Sequence, residues 1–290
     1  MRHELKTMLI FSSPALIFGV FLLYMLVWDY YYSFTNWSLF NPIPPQFVGL
    51  QTYVKTLTTP ITVSSLERSI LLAALLVVSG NALGIILAGL LFFLRSNTQR
   101  NVYLSILIYP LAMPMIANAF IWLWLYNVEY GFDYVFKLIG LPTINWLGPQ
   151  NAFWSIFLVT TWAYSGLAVI FYLAMLMNVP QSVIDAAKVD GGAGTFTIYL
   201  RILLPNVRGG ALIISSALLF LFALRIFSLP YGMVALNPFV ETAVINLYWD
   251  YISEHFAEAT AIAGIVIAIA VAVVVPYALY GLKRWITQGG

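Results

Sequence analysis

The sequence contains no cysteine, which excludes disulfides, thiol chemistry and cysteine-ligated metals while leaving the redox compartment open. Charged residues are also scarce, since only 8% of the 290 residues are Asp, Glu, Lys or Arg, against about 25% in ordinary globular proteins. A soluble fold of this length needs more charge on its surface. A soluble enzyme, a disordered chain and a nucleic-acid-binding protein are therefore excluded. The two histidines, His3 and His255, lie too far apart for a recognisable metal motif, so no metal site is predicted.

Apolar side chains dominate the composition and are gathered into long runs. Hydrophobic residues make up 62% of the chain, and the mean hydropathy is +0.90. A helix needs roughly 20 apolar residues to cross about 30 Å of hydrocarbon, and the chain has six such stretches. They lack the period-two alternation of barrel strands. The predicted spans cover residues 9–32, 69–94, 102–126, 153–177, 210–230 and 259–282. The sequence thus predicts an all-α polytopic membrane protein, with residues 1–290 forming a single transmembrane domain.

The distribution of lysine and arginine predicts the orientation of the spans. With six spans both termini lie on one side, and basic residues concentrate in cytoplasmic loops. The terminal side carries nine basic residues and the other side three, with Arg225 left inside the fifth span. Both termini are therefore predicted to be cytoplasmic. The nine are Arg2, Lys6, Arg95, Arg100, Lys188, Arg201, Arg208, Lys283 and Arg284, and the three are Lys55, Arg68 and Lys137.

One cytoplasmic loop, residues 178–209, is much longer than a helix–helix connection requires, which is typical of functional loops. Ser182 and Asp185 have the spacing of a capping box, so a short helix is predicted after them. The glycines that break this helix are Gly191, Gly192 and Gly194. A second short helix is predicted from Thr195, and Pro205 ends it or kinks the chain before the fifth span.

The two short helices would form a compact projection from the membrane. The second helix would carry four apolar residues on one side at helical spacing: Phe196, Tyr199, Leu200 and Leu203. Such a projection can fit a groove in another protein, and a folded surface loop without a partner is the alternative. A phosphate-binding loop is disfavoured, because the glycine cluster lacks the Lys-Ser/Thr of a P-loop.

The loop resembles the EAA loop of permease subunits of binding-protein-dependent ABC importers. The resemblance rests on Asp185-Ala-Ala-x3-Gly191 followed by Ile202-x-Leu204-Pro205. Further stretches are similar to the carbohydrate-uptake branch of these permeases, whose members include maltose and glucose permeases. They are Ser33–Trp37, Phe47–Tyr53, Pro110–Tyr126 and Tyr172–Pro180. We refer to residues 178–209 as the EAA-like segment.

Two details depart from the family pattern. Asp185 stands where the family usually has Glu, so the carboxylate is kept on a side chain one methylene shorter. The family spacing to Leu-Pro fits Gly192 better than Gly191, as if one glycine were inserted. Either glycine can therefore be the one that corresponds to the motif.

The resemblance implies a type I ABC importer permease in the cell membrane that moves a sugar without being catalytic itself. It implies a solute-binding protein on the outer side and a second permease subunit, which is either a copy of this chain or, as is common in the sugar branch, a different chain. Two cytoplasmic ATPase subunits would bind ATP and Mg²⁺, since this chain has no Walker A motif and no cofactor of its own. The residues implied to couple to the ATPases are Asp185, Ala186, Ala187, Gly191, Gly192, Leu204 and Pro205.

A pathway for a neutral sugar needs polar groups within the spans, where polar residues are costly and usually functional. The candidates are Asn81, Asn118, Tyr164, Ser165, Arg225 and Ser228. Arg225 has two readings: it anchors the outer end of the fifth span, with Glu241 as an ion-pair partner, or it takes part in translocation. Asn118 is expected to make an interhelical hydrogen bond. A non-sugar solute, a secondary transporter without ATPase partners and a membrane enzyme are the alternative functions.

Overall fold

The computed structural model describes residues 2–41, 43–191, 194–234 and 239–288. Within these ranges the chain is helical, and its β-structure is limited to one antiparallel bridge between Thr35 and Phe47. The first seven helices are α1 (Arg2–Ser33), α2 (Gln51–Thr58), α3 (Pro60–Phe92), α4 (Asn97–Ala112), α5 (Met115–Leu125), α6 (Phe132–Leu138) and α7 (Ala152–Met177). Then follow α8 (Gln181–Gly191), α9 (Thr195–Ile198), a π-helix (Tyr199–Leu203), α10 (Leu204–Leu224), α11 (Ser228–Val234), α12 (Ala243–Ile252) and α13 (Phe256–Gln288).

Up to six membrane spans can be built from the described helices. Four single helices are long and apolar enough to cross a bilayer: Ser12–Ser33, Pro60–Phe92, Ala152–Met177 and Phe256–Leu279. Two bent pairs complete the set: Asn97–Ala112 with Met115–Leu125, and Thr195–Val207 with Gly209–Leu224. The prediction of an all-α polytopic membrane protein is confirmed. The side on which the termini lie stays a prediction.

The third span differs from the continuous helix expected over residues 102–126. Its two halves, α4 and α5, meet at an angle of 99°. Met113 between them has extended backbone angles, φ −79° and ψ 150°. Pro114 accounts for this, because a proline disfavours helical geometry in the residue before it. The span is therefore two half-helices.

The fifth span also differs from its predicted limits of 210–230. Helix α10 ends at Leu224, and α11 starts only at Ser228. At the other end, Thr195–Val207 meets Gly209–Leu224 at 69°. A π-helix, a proline and the Gly209-Gly210 pair lie in or beside this bend, and each of these features is a known cause of helix kinks.

The described chain divides into two compact units. The first consists of Met1–Val63 and Val244–Ala268. Within it, the Tyr30 hydroxyl donates a hydrogen bond of 3.1 Å to the Gly264 carbonyl, and Lys55 Nζ lies 2.5 Å from Glu258 Oε1. Large apolar side chains of α1 are exposed, as at Ile17 (70%), which suits a lipid-facing helix.

The second unit consists of Ser64–Ala243 and Ile269–Gly290. Helix α7 is its most buried element, with α4 and α10 packed against it. The approach of α4 is close, since a Cβ atom at Gly166 would lie 2.3 Å from the Leu107 carbonyl oxygen. Small residues allow such contacts between membrane helices, where van der Waals packing drives association. The EAA-like segment and all six pathway candidates belong to this unit.

Candidate functional site

The first half of the EAA-like segment forms helix α8, in which two of the motif residues are exposed. The helix begins at Gln181, directly after Pro180, so the expected capping box at Ser182 is not the helix start. Asp185 instead accepts a hydrogen bond of 3.1 Å from Gln181 Nε2. The side chains of Asp185 and Ala186 are exposed. A small residue beside an accessible carboxylate leaves room for a close contact with another protein.

The glycine region separates the two short helices. Gly191 is the last residue of α8. Gly194 is the N-cap of α9 and has open space on its Cβ side. Gly192 lies outside the described residues, and Ala187 is described only as a helical position within α8. Helix α9 starts at Thr195, the residue that the sequence predicted.

In the second half of the EAA-like segment, after Gly194, some apolar side chains are buried and others are exposed. Tyr199 and Leu203 are buried within the chain, with exposures of 6% and 0%. Phe196 is 73% exposed and Leu200 is 41% exposed. The four apolar residues predicted to lie on one side therefore divide into two that pack within this chain and two that stay exposed. Leu204 and Pro205 follow as the first residues of α10, with Pro205 exposed.

Asn81 lies at the centre of a buried hydrogen-bond network that links three helices. Its Nδ2 donates to the Val77 carbonyl at 2.7 Å and to Ser216 Oγ at 3.1 Å. Its Oδ1 accepts from the Ser215 hydroxyl at 2.5 Å and from the Tyr172 hydroxyl at 3.2 Å. With all of these partners, and an exposure of only 5%, the amide has little capacity left for a substrate. Asn81 joins α3 to α7 and α10.

Asn118 and Ser165 are also engaged within the protein. Asn118 is fully buried, and its Nδ2 donates to the Pro110 carbonyl at 2.8 Å. This bond crosses the bend between α4 and α5, so the expected interhelical bond joins two halves of one span. Ser165 is 7% exposed, and its hydroxyl lies 3.4 Å from the Trp162 carbonyl of its own helix.

Tyr164 and Arg225 are brought together by a residue that the sequence analysis did not include. The rings of Tyr164 and Phe222 stack with centroids 5.3 Å apart and an angle of 17°. The guanidinium carbon of Arg225 lies 4.9 Å from the centroid of the same Phe222 ring. Phe222 lies three residues before Arg225, which is the helical spacing that could have indicated it. The three side chains form a stack that we call the Arg225 stack.

Arg225 is exposed at the break between α10 and α11, and Ser228 is exposed at the start of α11. The expected ion pair between Arg225 and Glu241 is absent from the ion pairs of the described residues. Arg68 lies beside Glu241 instead, and its Nε donates a hydrogen bond of 2.9 Å to the Glu241 carbonyl. The guanidinium of Arg225 therefore keeps donors that are available to other groups.

A fold of apolar helices, in which two spans are bent pairs and the EAA-like segment exposes Asp185, Ala186 and Phe196, fits a membrane transport subunit. The family model "Binding-protein-dependent transport system inner membrane component" matches residues 80–288. The chain belongs to this family and is a multi-pass membrane protein, the permease component of an ABC transporter.

Two curated relatives extend the comparison over nearly the whole chain. The glucose import system permease protein GlcT of Saccharolobus solfataricus is 44% identical over 286 residues, which cover 98% of this chain and 99% of the relative. The xylose/arabinose import permease protein XacH of Haloferax volcanii is 28% identical over 268 residues, covering 89% and 81%.

The fold is also found in a solved structure of a bacterial alginate ABC transporter in complex with an alginate pentasaccharide-bound periplasmic protein. The match has a TM-score of 0.76 at 17% identity and covers 95% of this chain and 93% of that chain. The type I importer permease architecture is therefore confirmed.

Proposed function

We propose that this chain is the permease subunit of an ABC importer that carries a sugar across the cell membrane. The observation that carries the proposal is the 44% identity, over nearly the full length of both chains, to a glucose import permease. A hexose is therefore the first substrate to test. Both termini lie in the cytoplasm in this proposal, as the asymmetry of basic residues indicates.

Energy for transport comes from two separate ATPase subunits, which hold ATP and Mg²⁺. They contact the exposed part of the EAA-like segment, where Asp185 offers a carboxylate and Ala186 permits close approach. Phe196 supplies apolar surface for the same contact, since 73% of its area is exposed. A second, different permease subunit and an outer solute-binding protein complete the importer.

The Arg225 stack is our candidate for a sugar contact. Sugars need hydrogen-bond donors together with flat apolar faces. The planar guanidinium of Arg225 has five donors in a fixed arrangement. It lies over the Phe222 ring, which in turn stacks on Tyr164, so aromatic surface adjoins these donors. Asn81 is assigned a structural role because both ends of its amide bond to the protein, and Asn118 because it is fully buried and its Nδ2 bonds to the Pro110 carbonyl.

Reconstitution into liposomes tests this function. The chain is purified together with its partner permease, ATPase and solute-binding protein, and uptake of labelled glucose and xylose is measured. We expect uptake only with hydrolysable ATP on the ATPase side. Liposomes that lack the ATPase serve as the control. Uptake driven by an ion gradient without ATP would instead indicate a secondary transporter. ATP-dependent uptake of an amino acid, with none of any sugar, would refute the substrate class.

A further inference from the structure

The half of the EAA-like segment next to the fifth span is held against the chain's own helices. Tyr199, Leu203 and Val207 recur every four residues and are all buried, with exposures of 6%, 0% and 6%. The π-helix starts at Tyr199. Single-turn π-helices are rare and are found frequently at functional sites. This half of the segment therefore packs at a defined position in the membrane domain.

Tyr199 makes the most specific contact between this half of the segment and the rest of the chain, and this contact is with α3. Its hydroxyl donates a hydrogen bond of 2.5 Å to the Ile85 carbonyl. Its ring occupies a slot at Gly89, where an added Cβ atom would lie 2.7–3.1 Å from three ring atoms. The Phe93 ring closes the slot edge-on, with centroids 6.2 Å apart. Only glycine at position 89 allows this ring to approach the backbone so closely.

Helix α3 is in turn bonded to the helices that surround it. Five residues before Gly89, an added Cβ atom at Gly84 would lie 3.0 Å from the Tyr172 ring. The Tyr172 hydroxyl reaches Asn81 on α3, and Asn81 also bonds to Ser215 on α10. A force that reaches α3 is therefore passed to α7 and α10 through hydrogen bonds.

The segment has an alternative way to respond to a force. Residues Thr195–Val207 run at 69° to Gly209–Leu224. The Gly209-Gly210 pair lies at this bend, and glycine pairs allow helices to kink. Without a fixed contact to α3, a displacement of the segment could be absorbed by a change in the bend angle. The Tyr199 contact is the feature that opposes this.

We propose that Tyr199 is a positioning residue that makes α3 move together with the EAA-like segment. This inference rests on the proposed function, in which ATPase subunits displace that segment. The Tyr199 ring in the Gly89 slot and its hydrogen bond to Ile85 join the EAA-like segment to α3, so that the two move as a rigid unit. ATP-driven movement then reorients α3, α7 and α10 instead of only flexing the bend.

The first test separates transmission of movement from ATPase binding. In reconstituted importer, Tyr199→Phe keeps the ring and removes the hydroxyl, and Tyr103→Phe is a control at a tyrosine that is 52% exposed. ATP hydrolysis and sugar uptake are measured on the same liposomes. We expect the Tyr199→Phe importer to bind its ATPase normally and to hydrolyse ATP. The amount of sugar imported per ATP should fall about fivefold, which is the change in an equilibrium constant that the loss of one typical hydrogen bond produces.

The outcomes of this test are distinct. If the wild-type importer shows no ATP-dependent sugar uptake, the proposed function fails. If the wild type transports and Tyr199→Phe imports as much sugar per ATP, the Tyr199 proposal is overturned. Loss of ATPase co-purification in Tyr199→Phe would also overturn it, because Tyr199 would then act in docking.

A covalent link gives the second test, and the cysteine-free chain makes it clean. Tyr199→Cys with Gly89→Cys empties the slot and leaves two thiols that a short bis-methanethiosulfonate reagent can bridge. We expect low uptake per ATP before bridging, recovery after bridging and reversal by a reducing agent. Either single-cysteine variant treated with the reagent is the control. If the bridge abolishes transport, the segment and α3 must slide past one another, and the proposal is wrong.

Discussion

Replacing Asn81 by alanine should destabilise the membrane domain and leave sugar recognition intact. The side chain makes three hydrogen bonds to other helices, to Ser215, Ser216 and Tyr172. Hydrogen bonds between membrane helices contribute on average about 0.6 kcal/mol each, so losing three costs about 2 kcal/mol. Unfolding in mixed micelles of mild detergent and dodecyl sulfate, followed by circular dichroism, measures this loss.

The uptake assay on the same protein decides between a structural role and a pathway role. The folded Asn81→Ala variant should reach half-maximal uptake at the same sugar concentration as the wild type, because the amide of Asn81 faces other helices and not the sugar. Asn101→Ala, at an exposed asparagine, is the control and should leave stability unchanged. A stability change below about 0.5 kcal/mol, combined with a large shift in the sugar concentration needed, would refute our reasoning.

Four further outcomes are expected. Ala186→Trp should abolish ATPase co-purification and uptake while the protein still inserts, since a bulky ring at this exposed position blocks a close contact; normal transport by this variant would disprove the coupling role. Arg225→Lys should lower sugar affinity about tenfold, because an ammonium group lacks the planar donor geometry; wild-type uptake with normal assembly would remove Arg225 from the pathway. Burial raises the pKa of Asp250 from 3.8 to about 6, so the stability contributed by its neutral form is complete below about pH 4 and is lost as the pH rises through 6. The thermal midpoint should therefore decrease as the pH is raised from about 4 to 6 and stay level above that, and Asp250→Asn should flatten the decrease. A single cysteine at Gly194 should resist an impermeant thiol reagent in intact cells and one at Gln51 should react; labelling at Gly194 would reverse the proposed orientation.

The number and nature of the spans could be predicted, because an apolar run of about 20 residues has few other uses in a protein. The break within the third span could not. Pro14 and Pro276 lie inside continuous helices, as prolines in membrane helices often do, whereas Pro114 follows an extended Met113 and divides the span. Whether a proline kinks or breaks a helix depends on what re-satisfies the freed backbone groups, and here Asn118 bonds to the Pro110 carbonyl. That partner lies eight residues from Pro110, and the position of the proline alone does not reveal it.

The candidate site, too, could be predicted from the sequence only in part. The glycine break and the helix start at Thr195 could be predicted, because they follow from local conformational preference. Asn81 and Arg225 look alike in sequence, as polar residues in apolar runs. Asn81 is bonded by residues more than 90 positions away, whereas Arg225 is exposed beside a single ring. Tyr199 was placed on the same side as Phe196 and Leu200 but packs against α3, because helical spacing does not reveal which residues of a segment contact their own chain.

The glycines of α3 have a consequence for how such a subunit can diverge. A side chain at Gly80, Gly84 or Gly89 would come within 2.7 Å of Leu219, Ala168 or Tyr199, respectively. At Val78, which is 70% exposed, almost any apolar residue can be accommodated. We therefore expect substitutions to be tolerated at exposed positions of this helix and to be unfavourable at the three glycines. Relatives that carry different sugars should share these glycines more often than the residues around Arg225.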